Sequence, residues 1–347
     1  MTPTLIHDPD CIDFEKPGKH HYRLAFHLDS SWGYSLVPLT VINGRRGSRN
    51  GAPPGVAAFG GTHGNEYEGQ VAIKRLCCDL DPAQMSGRVI LVPQLSESAC
   101  TGRQRISPQD GINMNRAFPG NPRGTLSYRI AHFVKTRIFP QVRIVVDIHA
   151  GGNEAVYPLC TSLHPIPNPE QFAETAQACS LFDTPFVFVY SRQMASGLLT
   201  DEAEDEGKIA VGGEFGCAES TSPRGVRHAY EGIRNVLKHY GLLAGDVVKI
   251  DSGRRTAPRG VSAPDLRDYV PCPRDGIWEP VVHPGDDVRE GDLLGRLHDF
   301  ADHSSEPLEI RAHRAGVVIA LYLAAACRKG FTLYVIGEEV PLPVHPL

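Results

Sequence analysis

A short apolar run followed by a glycine-rich segment with one histidine constrains the fold of this chain most. The run Val56–Phe59 is typical of a buried strand, and the residues Gly60-Gly61-Thr62-His63-Gly64-Asn65-Glu66-Tyr67-Glu68-Gly69 follow it directly. Open α/β sheets place their ligand sites at the carboxyl ends of their strands. Because His63 and Glu66 are three residues apart, a turn there brings both side chains to one side. Together they offer half of a catalytic zinc site, which has three protein ligands and one open position.

The spacing His-x-x-Glu is weak evidence by itself, because it occurs three times in the chain. The pair that begins at His228 lies in an amphipathic helical pattern, so we predict it to be solvated helix surface. The pair that begins at His303 lies in a polar stretch, which predicts a loop. Only the pair at His63 follows a predicted strand and is surrounded by glycines, which let a backbone approach a ligand closely.

A second predicted strand, Ile144–Ile148, ends in His149 and a pair of glycines. Asp147 and His149 are two residues apart, so they share one face of this strand. Metal-bound histidines commonly donate their second N–H to a carboxylate, a part that Asp147 can take. In isolation, His149 would more simply be a hydrogen-bonded histidine at a strand end. Beside His63 and Glu66, we predict it to be the third metal ligand.

A third apolar run, Ile209–Val211, ends in two glycines and Glu214. A carboxylate in this place suits a general base that takes a proton from water at a metal ion. The alternative is a carboxylate that caps or pairs near a strand end.

The segment between the first two strand ends, residues 102–120, is rich in turn residues and carries three arginines: Arg103, Arg105 and Arg116. A guanidinium group is a planar fork that matches carboxylates and can stabilise an oxyanion. The alternative is a solvated surface loop.

The ordered combination of these motifs resembles a known family, the succinylglutamate desuccinylase/aspartoacylase family, which is related to zinc carboxypeptidases of the carboxypeptidase A type. The resemblance rests on His63-x-x-Glu66, Arg105, Asn115-Arg116, His149 and Glu214, and it extends from about Phe59 into the C-terminal segment. The motifs GGTHGNEYEG, DGINMNRAFPG and DIHAGG are most similar to members that deacetylate N-acetyl-2,4-diaminobutyrate in ectoine breakdown. The implied fold is α/β, a zinc-carboxypeptidase-like mixed sheet flanked by helices.

The resemblance also implies a role for each motif. His63, Glu66 and His149 would hold one zinc ion per chain, although such a ligand set also admits other divalent ions, and Glu214 would be the general base. Two tyrosines are candidates for the mobile tyrosine of the carboxypeptidase-type relatives, and no motif selects between them: Tyr157 and Tyr190.

The arginine-rich loop would contact the substrate. Arg105 would polarise the scissile carbonyl, with Arg103 as its rival because the length of this loop varies in the family. Asn115 with Arg116 would hold the free carboxylate of the substrate.

The function implied is that of a zinc-dependent amidohydrolase, which removes a small acyl group from the nitrogen of an amino acid. Its partner would be a small N-acyl amino acid, with acetyl as the expected acyl group and N-acetyl-2,4-diaminobutyrate as one candidate. The alternatives are a carboxypeptidase-like peptidase and a metal-binding protein without turnover. The sequence leaves open the acyl group, the amino-acid side chain and the oligomeric state, a homo-oligomer included.

Composition narrows the class of protein. The 347 residues are 41% hydrophobic and 22% charged with a net charge of −5, and no basic run predicts a nucleic-acid partner. No apolar run is long enough to span a bilayer, so we expect no membrane partner. The first residues lack the features of a signal peptide, and the nine cysteines are never spaced Cys-x-x-Cys. These features predict reduced thiols and a cytoplasmic location.

The length predicts two domains. Residues 1–250 would form the catalytic domain, with one strand before about Gly51, Tyr34–Ile42. Residues 251–347 would form a connector at 253–264 and a smaller all-β domain, a barrel-sandwich that resembles biotinyl/lipoyl modules but lacks their carrier lysine. The acidic run at 201–206 could bind a cationic substrate, but we interpret it as a solvated helix start favoured by the helix dipole. The other predicted elements are helices at 69–80, 125–138, 170–182 and 200–206, and strands at 88–92, 144–148, 186–190 and 209–211.

Overall fold

The computed structural model describes residues 2–44, 54–194, 196–251 and 257–345. The helices within these ranges are α1 Tyr67–Asp79, α2 Glu97–Gly102, α3 Leu126–Phe133, α4 Pro169–Ser180, α5 Leu199–Asp205 and α6 Pro223–His239, and a π-helical turn, Val134–Ile138, continues α3. Across the same ranges, no helix combines the length and the apolar character needed to cross a membrane.

The strands follow one another most closely in the last third of the chain. They are β1 Thr4–Ile6, β2 Gly18–His27, β3 Tyr34–Asn43, β4 Val56–Gly60, β5 Arg88–Val92, β6 Ile144–Ile148, β7 Ala155–Val156, β8 Cys160–Leu163, β9 Phe186–Tyr190, β10 Ile209–Glu214, β11 Arg259–Ala263, β12 Tyr269–Pro271, β13 Gly276–Pro280, β14 Asp287–Val288, β15 Leu293–His298, β16 Leu308–Arg311, β17 Gly316–Tyr322, β18 Ala326–Cys327 and β19 Thr332–Val340.

Most strands belong to one large mixed sheet in the order β1-β2-β3-β5-β4-β6-β10-β8-β9-β11-β19-β17-β14. Its centre is parallel, because β4 pairs in parallel with β5 and β6, and β6 pairs in parallel with β10. Antiparallel pairs flank this centre on both sides: β3 with β5 on one side and β10 with β8 on the other. The predicted α/β fold, a mixed sheet flanked by helices with a smaller β unit, is confirmed.

Helices cover both faces of the sheet, so its central strands are apolar on both sides. Val56 and Ala58 of β4 pack into one core cluster with residues of α1, α4 and α6, whereas Ala57 and Phe59 pack into a second cluster with residues of α3 and α5. All of β4 and β6 is buried. This burial fixes the register of the strands, and so it fixes the position of the side chains that follow them.

The second sheet is four-stranded and antiparallel, in the order β16-β15-β13-β18. It encloses a separate apolar cluster that includes Trp278, Leu294 and Leu297, and all buried members of this cluster lie between residues 272 and 336. In contrast, β11, β17 and β19 extend the large sheet. A domain boundary at residue 250 stays a proposal. The separate apolar cluster supports it, but strands from both sides of residue 250 belong to the same large sheet.

Two parts of the chain contain more strand than we predicted. The N-terminal segment holds β1 and β2 besides β3, and β2 was missed because histidine, lysine and arginine interrupt its apolar residues. The predicted connector at 253–264 is wrong over its second half, since Arg259–Ala263 pairs in parallel with β9. Its first residues, 253–256, lie outside the described residues, as do residues 45–53 of the N-terminal segment.

Candidate active site

The three neighbouring parallel strands β4, β6 and β10 end at one edge of the sheet, and the predicted metal and base residues lie there. Gly60 at the end of β4 is in register with Ile148 of β6. His149 directly follows β6 and forms a parallel bridge with Glu214, the last residue of β10. Glu66 precedes the first residue of α1, which begins at Tyr67. Residues far apart in sequence therefore converge at one place.

His63, Glu66 and His149 form a compact cluster, in which three ligand atoms lie within 4.8 Å of one another. The Nδ1 atom of His63 is 2.8 Å from Oε1 of Glu66, and the Nδ1 atom of His149 is 2.8 Å from Oε2. His63 and Glu66 are each 3% exposed. The two imidazoles thus approach the two oxygens of one buried carboxylate.

The far nitrogens of both imidazoles face oxygens that can only accept hydrogen bonds. Nε2 of His149 is 2.7 Å from Oδ2 of Asp147, and Nε2 of His63 is 3.0 Å from Oδ1 of Asn113. Thr62 donates to the other oxygen of Asp147 and holds that carboxylate in place. These acceptors favour a proton on each Nε2, and in neutral rings of that form the Nδ1 lone pairs face Glu66.

This donor set fits a divalent cation. Two Nδ1 lone pairs and a carboxylate would otherwise face one another, and a cation between them satisfies all three. Although burial favours the neutral ring, Asp147 and Glu66 raise the pKa of His149 well above its usual value. Burial also opposes the charge of Glu66, but the two imidazoles hold the pKa of that carboxyl well below its usual range.

Glu214 is half-buried beside this cluster. Burial and, to a smaller extent, the charge of Glu66 raise the pKa of Glu214 to about 8. Among the described side chains, none lies within hydrogen-bond distance of its buried Oε2 atom. A bound cation would lower this pKa again, because it favours the charged carboxylate. The side chain therefore has an oxygen without a hydrogen-bond partner among the described residues, at a place where its charge depends on the charges around it.

Arg105 lies at the cluster, whereas Arg103 does not. Nη1 of Arg105 donates to Oε1 of Glu66 at 2.9 Å, and its Nε atom is 3.5 Å from Oε2 of Glu154. Arg103 is exposed and follows α2 in a left-handed backbone conformation. A guanidinium group has five donors, so these two contacts leave donors for a substrate oxygen.

Asn115 and Arg116 lie on the side of the cluster that His149 forms. Nδ2 of Asn115 is 3.5 Å from Nε2 of His149, and its Oδ1 atom accepts a hydrogen bond from the backbone N–H of Leu199. Arg116 donates to the backbone carbonyl of Asn115 and lines the cavity. Burial and the charge of Arg105 lower the pKa of Arg116 from its usual value. A carboxylate placed there would therefore meet a partly desolvated guanidinium group.

The predicted metal, base and substrate-binding residues line a cavity of about 770 Å³. Both candidate tyrosines, Tyr157 and Tyr190, line it, so the structure does not select between them. The C-terminal unit supplies much of one wall, including Tyr269, Tyr322 and Tyr334. The site is thus built from both parts of the chain.

The acidic run at 201–206 is only partly the solvated helix start that we predicted. Glu204 is 3% exposed, and its Oε2 atom is 2.8 Å from Nδ1 of His164 and 2.7 Å from Nη2 of Arg192. Asp201 lies 3.3 Å from the same imidazole, and Asp205 pairs with Arg192. His164, Asp201 and Glu204 lie close enough together to share an ion, but the guanidinium group of Arg192 already pairs with Glu204. We interpret the cluster as structural.

The prediction for His228 is wrong. This histidine is 2% exposed, and its Nδ1 atom is 2.9 Å from the backbone carbonyl of Phe182. It lies on the face of α6 that also buries Gly232 and Val236. The spacing of these residues could have revealed its burial, because positions four and eight apart share a helix face. His303, as predicted, lies in an exposed turn.

Sequence reasoning missed two polar residues at the site: Asn113 and Glu154. Asn113 lies in the motif DGINMNRAFPG, but Asx turns are common in such loops, and Asn113 also accepts from the backbone N–H of Asn115. Its contact with His63 joins segments 50 residues apart. No local pattern predicts such a contact.

Comparison with known proteins identifies relatives over nearly the whole chain. The sequence model of the succinylglutamate desuccinylase/aspartoacylase catalytic domain matches residues 52–240. An N-alpha-acetyl-L-2,4-diaminobutyric acid deacetylase from Halomonas elongata is 33% identical over 333 residues, which cover 95% of this chain and 94% of that protein.

Solved structures show the same similarity. A succinylglutamate desuccinylase/aspartoacylase from Rhodobacter sphaeroides has a TM-score of 0.87 and 33% identity, over 95% of this chain and 98% of that chain. The product-bound ectoine utilization protein EutE (DoeB) from Ruegeria pomeroyi has a TM-score of 0.85 and 31% identity, over 94% and 97% of the two chains. The resemblance read from the motifs is confirmed.

Proposed function

The chain belongs to the succinylglutamate desuccinylase/aspartoacylase family, and from that premise we propose that it is a zinc-dependent amidohydrolase that removes a small acyl group from an N-acyl amino acid. One observation carries the proposal. Two imidazole lone pairs and the carboxylate of Glu66 converge on one point beside Glu214, a carboxylate with a free oxygen. Metal and general base would thus lie next to each other at one end of the sheet.

His63, Glu66 and His149 would hold the ion, and Asp147 and Asn113 would fix the two imidazoles. When bound, a divalent ion polarises a carbonyl and lowers the pKa of water. The three ligands leave a position open for these groups, as in catalytic zinc sites. Zinc agrees with two nitrogens and one carboxylate as ligands.

Glu214 would accept a proton from the attacking water and pass it to the leaving amine. With a cation bound, Glu214 is held as the charged carboxylate, the form that can accept a proton, and its Oε2 atom has no hydrogen-bond partner among the described residues. Arg105 would donate to the acyl oxygen, on which negative charge develops during attack. Asn115 and Arg116, which adjoin His149, would hold the carboxylate of the amino acid.

The acyl group we propose is acetyl, and N-acetyl-2,4-diaminobutyrate is the first substrate to test. The deacetylase from Halomonas elongata, whose name states this substrate, is the basis for that choice. The free thiols of all nine cysteines agree with a cytoplasmic location, which we also propose.

A carboxypeptidase-like peptidase is the alternative within the same chemistry. The wall that the C-terminal unit contributes to the cavity opposes it, because an extended peptide needs an open cleft. A metal-binding protein without turnover is the other alternative, and the presence of Glu214 beside the cluster opposes it.

The deciding experiment is a substrate screen with zinc-loaded protein. The panel contains N-acetyl and N-succinyl amino acids, N-acetyl-2,4-diaminobutyrate among them, and dipeptides of the same amino acids, with release of free amine measured. We expect turnover of acylated amino acids well above that of dipeptides. Preference for dipeptides would favour the peptidase, and zinc binding without any turnover would contradict the proposed function.

A further inference from the structure

One carboxylate on the cavity wall has no part in the proposed reaction. Among the described residues that line the cavity, Glu154 is the carboxylate other than Glu66 and Glu214. Its side chain is 59% exposed, and its Oε2 atom lies 3.5 Å from Nε of Arg105. A charge on the wall of a substrate cavity must attract or repel whatever part of the substrate lies beside it.

The backbone of Glu154 is fixed from two sides. Its N–H donates to the carbonyl of Gly151 in the turn after β6, and its carbonyl accepts from Leu323 in the C-terminal unit. The next residue, Ala155, pairs with Tyr322 in β7 and β17. The carboxylate therefore has a defined place in the wall.

The two arginines define the direction of the substrate, and this step rests on the proposed function. Arg116 adjoins Asn115 on the His149 side of the cluster, and Arg105 adjoins Glu66. With the amino-acid carboxylate at Arg116 and the acyl oxygen at Arg105, the rest of the acyl group extends away from Arg116. Because Glu154 contacts Arg105, the distal atoms of a longer acyl group would approach Glu154.

We propose that Glu154 selects the acyl group, by repelling acyl groups that end in a carboxylate while it accepts acetyl. Two negative charges about 4 Å apart in water disfavour binding by roughly fivefold, and by more where water is excluded. Glu154 also neutralises part of the charge of Arg105. In this orientation of the substrate, Arg105 is the cation that would otherwise attract the distal carboxylate of a succinyl group. Both effects act against succinyl and leave the uncharged acetyl group unaffected.

The test compares two acyl groups of equal size on one amino acid: succinyl and its neutral amide, 4-amino-4-oxobutanoyl. We expect the wild type to prefer the amide by roughly fivefold or more in kcat/KM, after correction for a free-solution reference hydrolysis. Glu154→Gln should bring that ratio close to one. Glutamine retains an oxygen for Arg105, so the donor to the acyl oxygen, which both substrates need, stays in place. The charge of Arg105 that Glu154 no longer neutralises favours the succinyl carboxylate, which moves the ratio in the same direction.

Glu309→Gln is the matched control. Glu309 also pairs with an arginine, Arg311, but both are exposed and neither lines the cavity. The ratio in this variant should equal that of the wild type. N-acetyl-2,4-diaminobutyrate and N-acetyl-2-aminobutyrate form a second pair, which differs in the charged amino group of the amino-acid side chain.

The outcomes separate this inference from the function on which it rests. Turnover with an acyl ratio that Glu154→Gln leaves unchanged would overturn the inference alone. The inference would also be overturned if Glu154→Gln changed only the second ratio, because Glu154 would then meet the side chain of the amino acid. No turnover of any substrate by the zinc-loaded wild type would overturn the proposed function, and this inference with it.

Discussion

His149 and Glu214 are paired across β6 and β10 by a parallel backbone bridge, with the N–H of His149 bonded to Gly213 and the N–H of Phe215 bonded to His149. Paired residues of parallel strands direct their side chains to the same face of a sheet. A metal ligand and a proton acceptor are thus kept adjacent by backbone hydrogen bonds. Neither residue needs a flexible loop to reach the other.

We expect His149→Ala to lose most of the bound metal, because the remaining pair of ligands cannot form a three-ligand site. Elemental analysis of purified protein, loaded with zinc and then dialysed, measures this against about one ion per wild-type chain. His303→Ala is the control, since His303 lies in an exposed turn and should leave metal content unchanged. Full metal content in His149→Ala would remove this residue from the site.

Asn113→Ala should weaken metal binding by roughly 10–100-fold, because residues that orient a ligand imidazole contribute about this much. Asn113→Asp keeps an oxygen for both His63 and the N–H of Asn115, so it should bind metal at least as well as the wild type. Competition with a chelator gives the affinities. Asn121→Ala controls for the loss of a turn-forming asparagine, since Asn121 also accepts from a nearby backbone N–H. Equal effects of the alanine changes at both asparagines would assign Asn113 to loop structure only.

Glu214→Gln keeps the size of the side chain but cannot accept a proton from water. Metal content should stay at the wild-type level while kcat falls by roughly 10²-fold or more. Steady-state assays and elemental analysis of the same preparation test both parts. A variant with near-normal turnover would demote Glu214 to a structural carboxylate.

Arg116→Ala should lower kcat/KM for an N-acetyl amino acid by roughly 10–100-fold, since charge-assisted hydrogen bonds contribute about 1.5–3 kcal/mol. The corresponding N-acetyl amino amide has no carboxylate, so its much slower turnover should change little. The wild type should prefer the acid by a comparable factor. Equal losses on the acid and the amide would mean that Arg116 supports the fold or the oxyanion, not the carboxylate.

His228→Ala should lower the free energy of unfolding by about 1–3 kcal/mol, because it leaves the buried carbonyl of Phe182 without its hydrogen bond. Denaturant titration measures this change. Metal content per folded molecule should equal that of the wild type. Unchanged stability would show that water replaces the imidazole at that carbonyl.

Much of the central sheet could be predicted from sequence, because its strands contain short continuous runs of apolar residues. The bounds of β5, β6 and β9 agree with prediction residue for residue. β11 was missed because proline, arginine and glycine surround it, and its partners β9 and β19 are distant in sequence. Whether such a segment forms a strand depends on pairing partners far along the chain and not on its local propensity.

The candidate site also has residues that could be predicted from sequence and contacts that could not. His149 and Glu214 end apolar strands, and His63 and Glu66 lie in the glycine-rich segment after another, so their place could be inferred from strand periodicity and glycines. The contacts of Asn113 with His63 and of Glu154 with Arg105 depend on how loops from different strands meet. Only the three-dimensional structure shows these two contacts.

The pairing of β7 with β17 has a consequence for synthesis on the ribosome. Residues 155 and 156 leave the ribosome long before Leu321 and Tyr322, their partners in that pairing. Until the later strand arrives, the nascent chain has the metal ligands and Glu214 but lacks one side of the cavity. A chain truncated before β17 would therefore keep its ligands and lose the wall that limits what may reach them.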